Sequence, residues 1–147
     1  MSSPNASGEQ VHRYVKGARS ERELIDKFYR HGYSVMRSAG SGVNSLSPDV
    51  IVFKNGKGYA FECKAWGRSL SLEVDKVEVL RKWQSDTGMA TFIAWRMNGK
   101  GWFFISLTEL GKAAKNYTVT TKSAFSINRR LEDILGEPDA EPGLQAP

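Results

Sequence analysis

The sequence is poor in the residues that build disulfides and zinc sites. Among its 147 residues, cysteine occurs once, as Cys63, and histidine occurs twice. One thiol excludes an internal disulfide framework and fits a reducing compartment, so the protein is expected to be intracellular. His12 and His31 are too far apart and too isolated to indicate a zinc site.

Long apolar runs are also missing. No uncharged apolar stretch approaches the roughly 18 residues that a membrane-spanning helix needs. Residues 1–8 lack the basic and apolar blocks of a signal peptide. Forty per cent of the residues are hydrophobic, which is enough for one ordinary domain with its own core. These features predict a soluble, cytoplasmic protein without a membrane partner.

Acidic residues are outnumbered by basic ones, 16 against 21, which gives a net charge of +5 and a pI of about 9.4. Much of the excess lies between positions 12 and 37, where three acids accompany seven basic residues. The basic residues are Arg13, Lys16, Arg19, Arg22, Lys27, Arg30 and Arg37. A solvated helix face accounts for such a run as well as an anion-binding surface does. The charge therefore favours an anionic partner without establishing one.

Hydrophobic periodicity and turn residues predict one α/β domain. We expect residues 1–12 and 137–147 to be disordered extensions of a domain at 13–136. The expected helices cover 16–31 and 73–85, with short helical segments at 108–115, capped by Thr108, and at 127–135. The expected strands cover 33–38, 47–53, 59–65, 89–95 and 101–105. This order predicts a single mixed five-stranded sheet flanked by helices.

Three charged residues stand in strands that are otherwise largely apolar: Asp49, Glu62 and Lys64. Charged residues rarely occupy such strands unless something pairs them. Alternate side chains share a face of a strand, so Glu62 and Lys64 point the same way, and a hairpin would add Asp49. Two acids beside one ammonium predict a cation-binding, phosphate-cutting site. The competing interpretation, a buried ion pair with a spare acid, leaves one carboxylate uncompensated.

Glu21 is a candidate third acid. It lies three and four residues before Leu24 and Ile25, so it shares the apolar stripe of the first helix. Either the helix dipole favours an acid near the helix start, or Glu21 reaches the acid pair. Cys63 points to the opposite face from Glu62, which predicts a buried structural thiol and not a nucleophile.

The run Pro48-Asp49, twelve intervening residues, and then Glu62-Cys63-Lys64 resembles the PD-(D/E)XK nuclease signature. Residues 16–24 look like the opening helix of archaeal-type, Hjc-like Holliday junction resolvases. Residues 33–42 look like the strand and mobile loop that follow it, and residues 101–104 fall where that family has a matching strand. The resemblance spans residues 13–107, and it implies a restriction-endonuclease-like nuclease fold.

The resemblance also implies a role for each matching residue. Asp49 and Glu62 match metal-binding carboxylates, and Lys64 matches the catalytic lysine. Glu21 matches the first-helix acid, which would hold a further metal or a metal-bound water. Mg²⁺ is the implied cofactor, with Mn²⁺ as a substitute, and the Cys63 carbonyl is a candidate extra ligand. The implied DNA-contacting residues are Lys16, Arg19, Arg22, Arg37, Ser41 and Arg68.

The resemblance implies a homodimeric endonuclease that resolves four-way DNA junctions in recombination and repair. No insertion offers a base-reading helix or ribbon, so we expect selection by DNA shape. Two symmetric nicks from a chain with one site call for a two-fold dimer. Aromatic candidates for its interface, each more readily a core residue, are Trp83, Trp95, Trp102, Phe103 and Phe104. The alternatives are a restriction- or repair-type nuclease acting on linear or branched DNA, and a non-catalytic DNA-binding module on the same fold.

Overall fold

The computed structural model describes residues 18–38, 45–65 and 67–136, and the predicted extensions at 1–12 and 137–147 lie outside them. The first helix, α1, is helical throughout 18–30. The strands are β1 (Ser34–Arg37), β2 (Val50–Lys54), β3 (Lys57–Lys64), β4 (Ser69–Glu73), β5 (Ala90–Met97), β6 (Gly101–Ser106), β7 (Gly111–Lys112) and β8 (Asn116–Thr120). The later helices are α2 (Val74–Thr87), α3 (Thr121–Ile127) and α4 (Leu131–Leu135). No described helix has the length and apolar character needed to cross a membrane.

Five strands form one mixed sheet in the order β1-β2-β3-β5-β6. Strands β1, β2 and β3 run antiparallel, β5 runs parallel to β3, and β6 runs antiparallel to β5. The parallel pair needs a long crossover, which passes through β4 and α2. Asn55 and Gly56, with φ of 50° and 78°, make the two-residue turn between β2 and β3. The predicted five-stranded mixed sheet is confirmed.

The helix α1 covers one face of this sheet. Its fully buried residues Leu24 and Phe28 belong to a cluster with Val50, Val52 and Phe61. Val50 and Val52 alternate along β2, Phe61 of β3 pairs with Val50, and all three lie on one side of the pleat. The α1-facing side of β2 and β3 is therefore apolar, and the intervening residues point to the opposite side.

The helix α2 covers the other face. Val77 and Leu80 are fully buried and pack in a cluster with Ile93 and Trp95 of β5. A second, three-stranded sheet in the order β4-β8-β7 completes this layer. It contributes Leu70, Leu72, Tyr117 and Val119 to the same core. This smaller sheet was not predicted from the sequence.

Two predicted helical segments take another form. At 108–115, a 3₁₀ turn over Leu107–Glu109 is followed by β7. The residue that caps this turn is Ser106 and not the predicted Thr108. The Ser106 N–H donates a hydrogen bond to the Glu109 carboxylate at 2.7 Å. At 127–135, Asn128 adopts a left-handed conformation with φ of 49° and ends α3, so a separate helix, α4, follows.

The arginines between α3 and α4 cover the outer edge of β6. The Phe104 N–H donates to the Arg129 carbonyl at 2.9 Å, and Arg130 forms an antiparallel bridge with Phe103. The Arg130 guanidinium donates to the Trp102 carbonyl at 2.9 Å and lies 4.1 Å from the centroid of the Phe103 ring. The backbone of β6 is thus bonded on its outer side. At the other end of the sheet, β1 pairs with β2 on one side and with no described strand on its outer side.

Four of the aromatic residues considered for a dimer interface are core residues of the single chain. Trp95, Trp102, Phe103 and Phe104 are at most 4% exposed, and Trp83 is half-buried. Trp102 packs on the α1 side and its neighbour Phe103 on the α2 side. Adjacent side chains of a strand point to opposite faces, and both are buried here because the sheet is covered on both faces.

Candidate active site

The β2–β3 hairpin brings Asp49 beside Glu62. Val50 pairs with Phe61 in the ladder, and the Asp49 N–H donates to the Phe61 carbonyl at 3.0 Å. Pairing therefore continues one residue beyond β2. Asp49 Oδ2 accepts a hydrogen bond from the Cys63 N–H at 2.8 Å, which fixes this carboxylate across the strand.

Glu62 is the buried acid of the pair, with 5% of its surface exposed. Lys76 Nζ lies 3.5 Å from Glu62 Oε1, yet this oxygen accepts no hydrogen bond from the described residues. Burial, and next the charge of Asp49, raise the pKa of Glu62 to about 7 against the opposing charges of Lys76 and Lys64. Near neutral pH such a group takes up either a proton or a cation.

Lys64 shares the face of the sheet that Glu62 occupies. In the β3–β5 ladder Glu62 faces Ile93, and Lys64 faces Trp95. Lys64 is half-buried, and its positive charge acts to lower the pKa of Glu62. The ammonium therefore lies close to the acid pair, where it can stabilise negative charge on a bound phosphate.

Cys63 points to the α1 side and packs against the core cluster there. Burial, followed by the charges of Asp49, Glu21 and Glu62, raises the pKa of the thiol well above its usual value. A thiol kept in its neutral form is a poor nucleophile. The geometry thus agrees with a structural thiol.

Glu21 approaches the same strand end from α1. Its carboxylate forms an ion pair with Arg37 of β1. Arg37 pairs with Val50 in the β1–β2 ladder. The charge of Glu21 acts on the Cys63 thiol, as do those of the acid pair, so all three predicted carboxylates gather around this part of β3. In residues 18–38, 45–65 and 67–136, however, no group of three or more acidic, histidine or cysteine side chains is arranged to hold a metal. A metal contact by Glu21 stays a prediction.

The predicted DNA-contacting residues fall in two groups. Arg19 and Arg22 are exposed on α1, on either side of Glu21 in the sequence, and Arg37 and Arg68 are also exposed. Lys16 and Ser41 lie outside the described residues. Through its ion pair with Glu21, Arg37 connects this basic surface with the acid site.

Lys76 is a site residue that was not identified from the sequence. It projects from α2, and its Nζ donates to the Ser47 carbonyl at 3.0 Å while lying near Glu62. A signal for it was present. Lys76 precedes the buried Leu80 by four residues and so shares the inward side of α2, where a lysine needs a partner.

The acid pair supplies oxygen donors that suit a hard divalent cation. One Asp49 oxygen is committed to the Cys63 N–H, and Glu62 Oε1 is buried without a hydrogen bond from the described residues. Two neighbouring carboxylates, one with a raised pKa, are relieved by a cation that both can bind. The residues present therefore fit Mg²⁺ or Mn²⁺, which prefer oxygen ligands.

We expect ionisation of Glu62 to destabilise the metal-free protein as pH rises from about 5 to 7. The folded-state pKa of about 7 exceeds the usual value of 4.5, so the folded chain binds more protons than the unfolded chain in this window. By linkage, the free energy of unfolding then falls with rising pH. Denaturant titrations at both pH values should show a smaller fall for Glu62→Gln than for wild type. The control Glu78→Gln, at an exposed site on α2, should keep the wild-type fall. Equal falls in all three proteins would contradict the raised pKa.

Comparisons with known proteins show which family this chain is similar to. The family model described as archaeal Holliday junction resolvase (Hjc) matches residues 12–141. Crossover junction endodeoxyribonuclease Hjc of Archaeoglobus fulgidus is 30% identical over 124 residues, which cover 83% of this chain and 90% of that protein. The protein of the same name from Methanocaldococcus jannaschii is 33% identical over 110 residues, which cover 74% and 78% respectively.

The structure comparison gives the same fold. The crystal structure of Archaeoglobus fulgidus Hjc, a Holliday junction resolvase from an archaeal hyperthermophile, matches with a TM-score of 0.73 and 24% sequence identity. The match covers 85% of this chain and 99% of that one. The restriction-endonuclease-like architecture is thereby confirmed, and the matches in sequence establish the relationship. The chain belongs to the archaeal Holliday junction resolvase family.

Proposed function

We propose that the chain is a Mg²⁺-dependent endonuclease that resolves four-way DNA junctions by paired phosphodiester hydrolysis in recombination and repair inside the cell. The observation that supports this best is the Asp49–Glu62 pair at the strand end, with Lys64 on the same face of the sheet. Two relatives are named crossover junction endodeoxyribonucleases, and this name supports the substrate class.

Hydrolysis of a phosphodiester needs an attacking water that is held in line with the leaving oxygen. It also needs the negative charge of the phosphate to be neutralised. Mg²⁺, when bound, supplies Lewis-acid neutralisation and activates the water. Asp49 and Glu62 hold the cation, and the hydrogen bond from the Cys63 N–H keeps the Asp49 carboxylate in one orientation. Lys64 stabilises the negative charge that develops on the phosphate. Arg37, held by its ion pair with Glu21, presents a guanidinium to the DNA backbone.

Junction shape is the proposed basis of selection. The described strands all belong to the two sheets, and the described helices belong to the same domain. Among these elements there is no separate helix or ribbon for reading bases. The exposed arginines on α1 suit phosphate contacts, and such contacts position a protein without reading sequence. Recognition therefore depends on how the four arms present their phosphates.

The first experiment compares a four-way junction with a linear duplex of the same arm sequence, each incubated with the protein and Mg²⁺. We expect paired nicks in the junction alone. Asp49→Asn should abolish the nicks and leave junction binding intact, because the variant loses a metal-binding charge and not a DNA contact. The matched control Asp86→Asn, at an exposed site on α2, should cut like wild type.

Other outcomes of this experiment point to specific alternatives. Equal cutting of both substrates would indicate a restriction- or repair-type nuclease of the same fold. Binding without cutting, in Mg²⁺ and in Mn²⁺, would indicate a non-catalytic DNA-binding module. Cleavage by purified Asp49→Asn would remove Asp49 from the metal site.

The basic face of α1 should contribute to binding through its interaction with phosphates. We expect the double substitution Arg19→Ala and Arg22→Ala to weaken junction binding and to reduce the slope of log affinity against log salt by about 0.9 for each phosphate that is no longer neutralised. Arg30→Ala is the control, because Arg30 lies at the far end of α1 and pairs with Asp26. The slope of log affinity against log salt is measured by filter binding at about 50 to 200 mM salt. An unchanged slope would place Arg19 and Arg22 away from the DNA.

A homodimer is the proposed assembly, because each chain supplies one acid pair and a junction needs two symmetric nicks. Exposed large apolar side chains remain available for an interface; in the described residues these are Tyr29, Met36, Leu46, Phe53 and Phe125. Sedimentation velocity of the DNA-free protein at micromolar concentration should give twice the chain mass of 16.4 kDa. A monomer at every concentration would contradict the two-fold arrangement.

A further inference from the structure

Lys76 contacts both of the segments that carry the acid pair. Its Nζ donates to the Ser47 carbonyl at 3.0 Å and lies 3.5 Å from Glu62 Oε1. Ser47 is two residues before Asp49, and Glu62 lies on the neighbouring strand. One ammonium group from a helix therefore connects the turn that leads to Asp49 with the strand that bears Glu62.

The helix that carries Lys76 is firmly anchored. The next residue, Val77, is fully buried, and so is Leu80, and both pack against the α2-facing side of β5. The Lys76 side chain itself is 21% exposed, so it is largely enclosed between the helix and the strand end. An enclosed lysine on a fixed helix gives up little further side-chain freedom when it binds.

The turn before Asp49 has few other restraints. Ser47 precedes the paired region of β2, and its other hydrogen bonds in the described residues are with serine hydroxyls. Ser38 Oγ lies 3.0 Å from Ser47 Oγ, and Ser45 Oγ donates to the Ser47 carbonyl at 3.1 Å. The bond from Lys76 is charge-assisted and comes from outside the turn, so it is the strongest of these contacts.

We propose that Lys76 is a positioning residue. Its hydrogen bond to the Ser47 carbonyl and its ion pair with Glu62 hold the turn before Asp49 and the Glu62 carboxylate at the separation that one divalent cation requires. This inference rests on the proposed function and deepens it. The positive charge of Lys76 by itself opposes a cation. Its hydrogen bond to Ser47 preorganises the ligands, and the outer partners of metal ligands are typically worth 10–100-fold in affinity. The geometry favours the second effect, because Lys76 bonds to the Ser47 carbonyl more closely than it approaches Glu62.

The test measures Mn²⁺ binding to the DNA-free protein by calorimetry for wild type and two substitutions at this site. Lys76→Met keeps the length of the side chain but loses its donor, and we expect at least about tenfold weaker binding. Lys76→Gln keeps a donor without the charge, so it should recover most of the affinity. Lys82→Met is the matched control, because Lys82 is exposed on the same helix and pairs with Asp86. It should bind Mn²⁺ like wild type.

Cleavage and DNA binding give a second readout. At a fixed, subsaturating Mn²⁺ concentration, Lys76→Met should cut the junction more slowly than Lys76→Gln. All variants should bind the junction equally in the absence of metal. Circular dichroism and thermal unfolding check the fold. If Lys76→Met does not fold, Lys76→Gln decides alone: retained Mn²⁺ affinity supports a donor role, and a loss of tenfold or more overturns it.

Two results would overturn the inference while leaving the proposed nuclease intact. Unchanged or tighter Mn²⁺ binding by Lys76→Met would show that the lysine does not position the ligands. An equal loss in the methionine and glutamine variants would assign the effect to charge and not to hydrogen bonding. The variant Asp49→Asn separates these results from a failure of the proposed function. If wild type and Asp49→Asn bind Mn²⁺ alike, the metal site is not at the acid pair, and both proposals fall.

Discussion

The candidate site depends on holding two carboxyl groups side by side at the end of the β2–β3 hairpin. Glu62 is almost fully enclosed, and Asp49 is fixed next to it by a backbone hydrogen bond. Burying such a pair without compensation costs several kcal/mol, since each carboxylate loses water and repels the other. The chain compensates in part with cations from two elements, Lys64 from β3 and Lys76 from α2.

The two lysines do not fully offset the negative charge of the acid pair, and the remaining charge can attract a cation. Glu62 keeps a raised pKa despite both lysines, and one of its oxygens accepts no hydrogen bond from the described residues. A fully neutralised cluster would hold the fold together more firmly but would leave little affinity for a cation. Either a proton or a cation would relieve the residual repulsion, so the folded state retains part of its electrostatic cost until one of them binds.

The central part of the site could be predicted because it depends on short-range rules. Alternation along a strand places Glu62 and Lys64 on one face, and the Asn55-Gly56 turn sets the hairpin register that adds Asp49. The contact between Lys76 and Ser47 spans 29 residues and exists because α2 packs on the sheet, which no local pattern specifies. The smaller sheet was missed for the same reason, since its strand β4 pairs with β8 across more than forty residues. Whether a buried aromatic faces the chain's own core or a partner is likewise decided by tertiary packing.

The two edges of the central sheet differ, and the difference limits how copies of the chain can associate. The outer side of β6 is occupied by the bridge to Arg130 and by the hydrogen bond to the Arg129 carbonyl. A further strand can therefore add to the described sheet only along β1. A sheet with one open edge can join one other copy edge to edge, and the combined sheet then presents two blocked edges. Association by this route stops at two chains and does not propagate into a fibre.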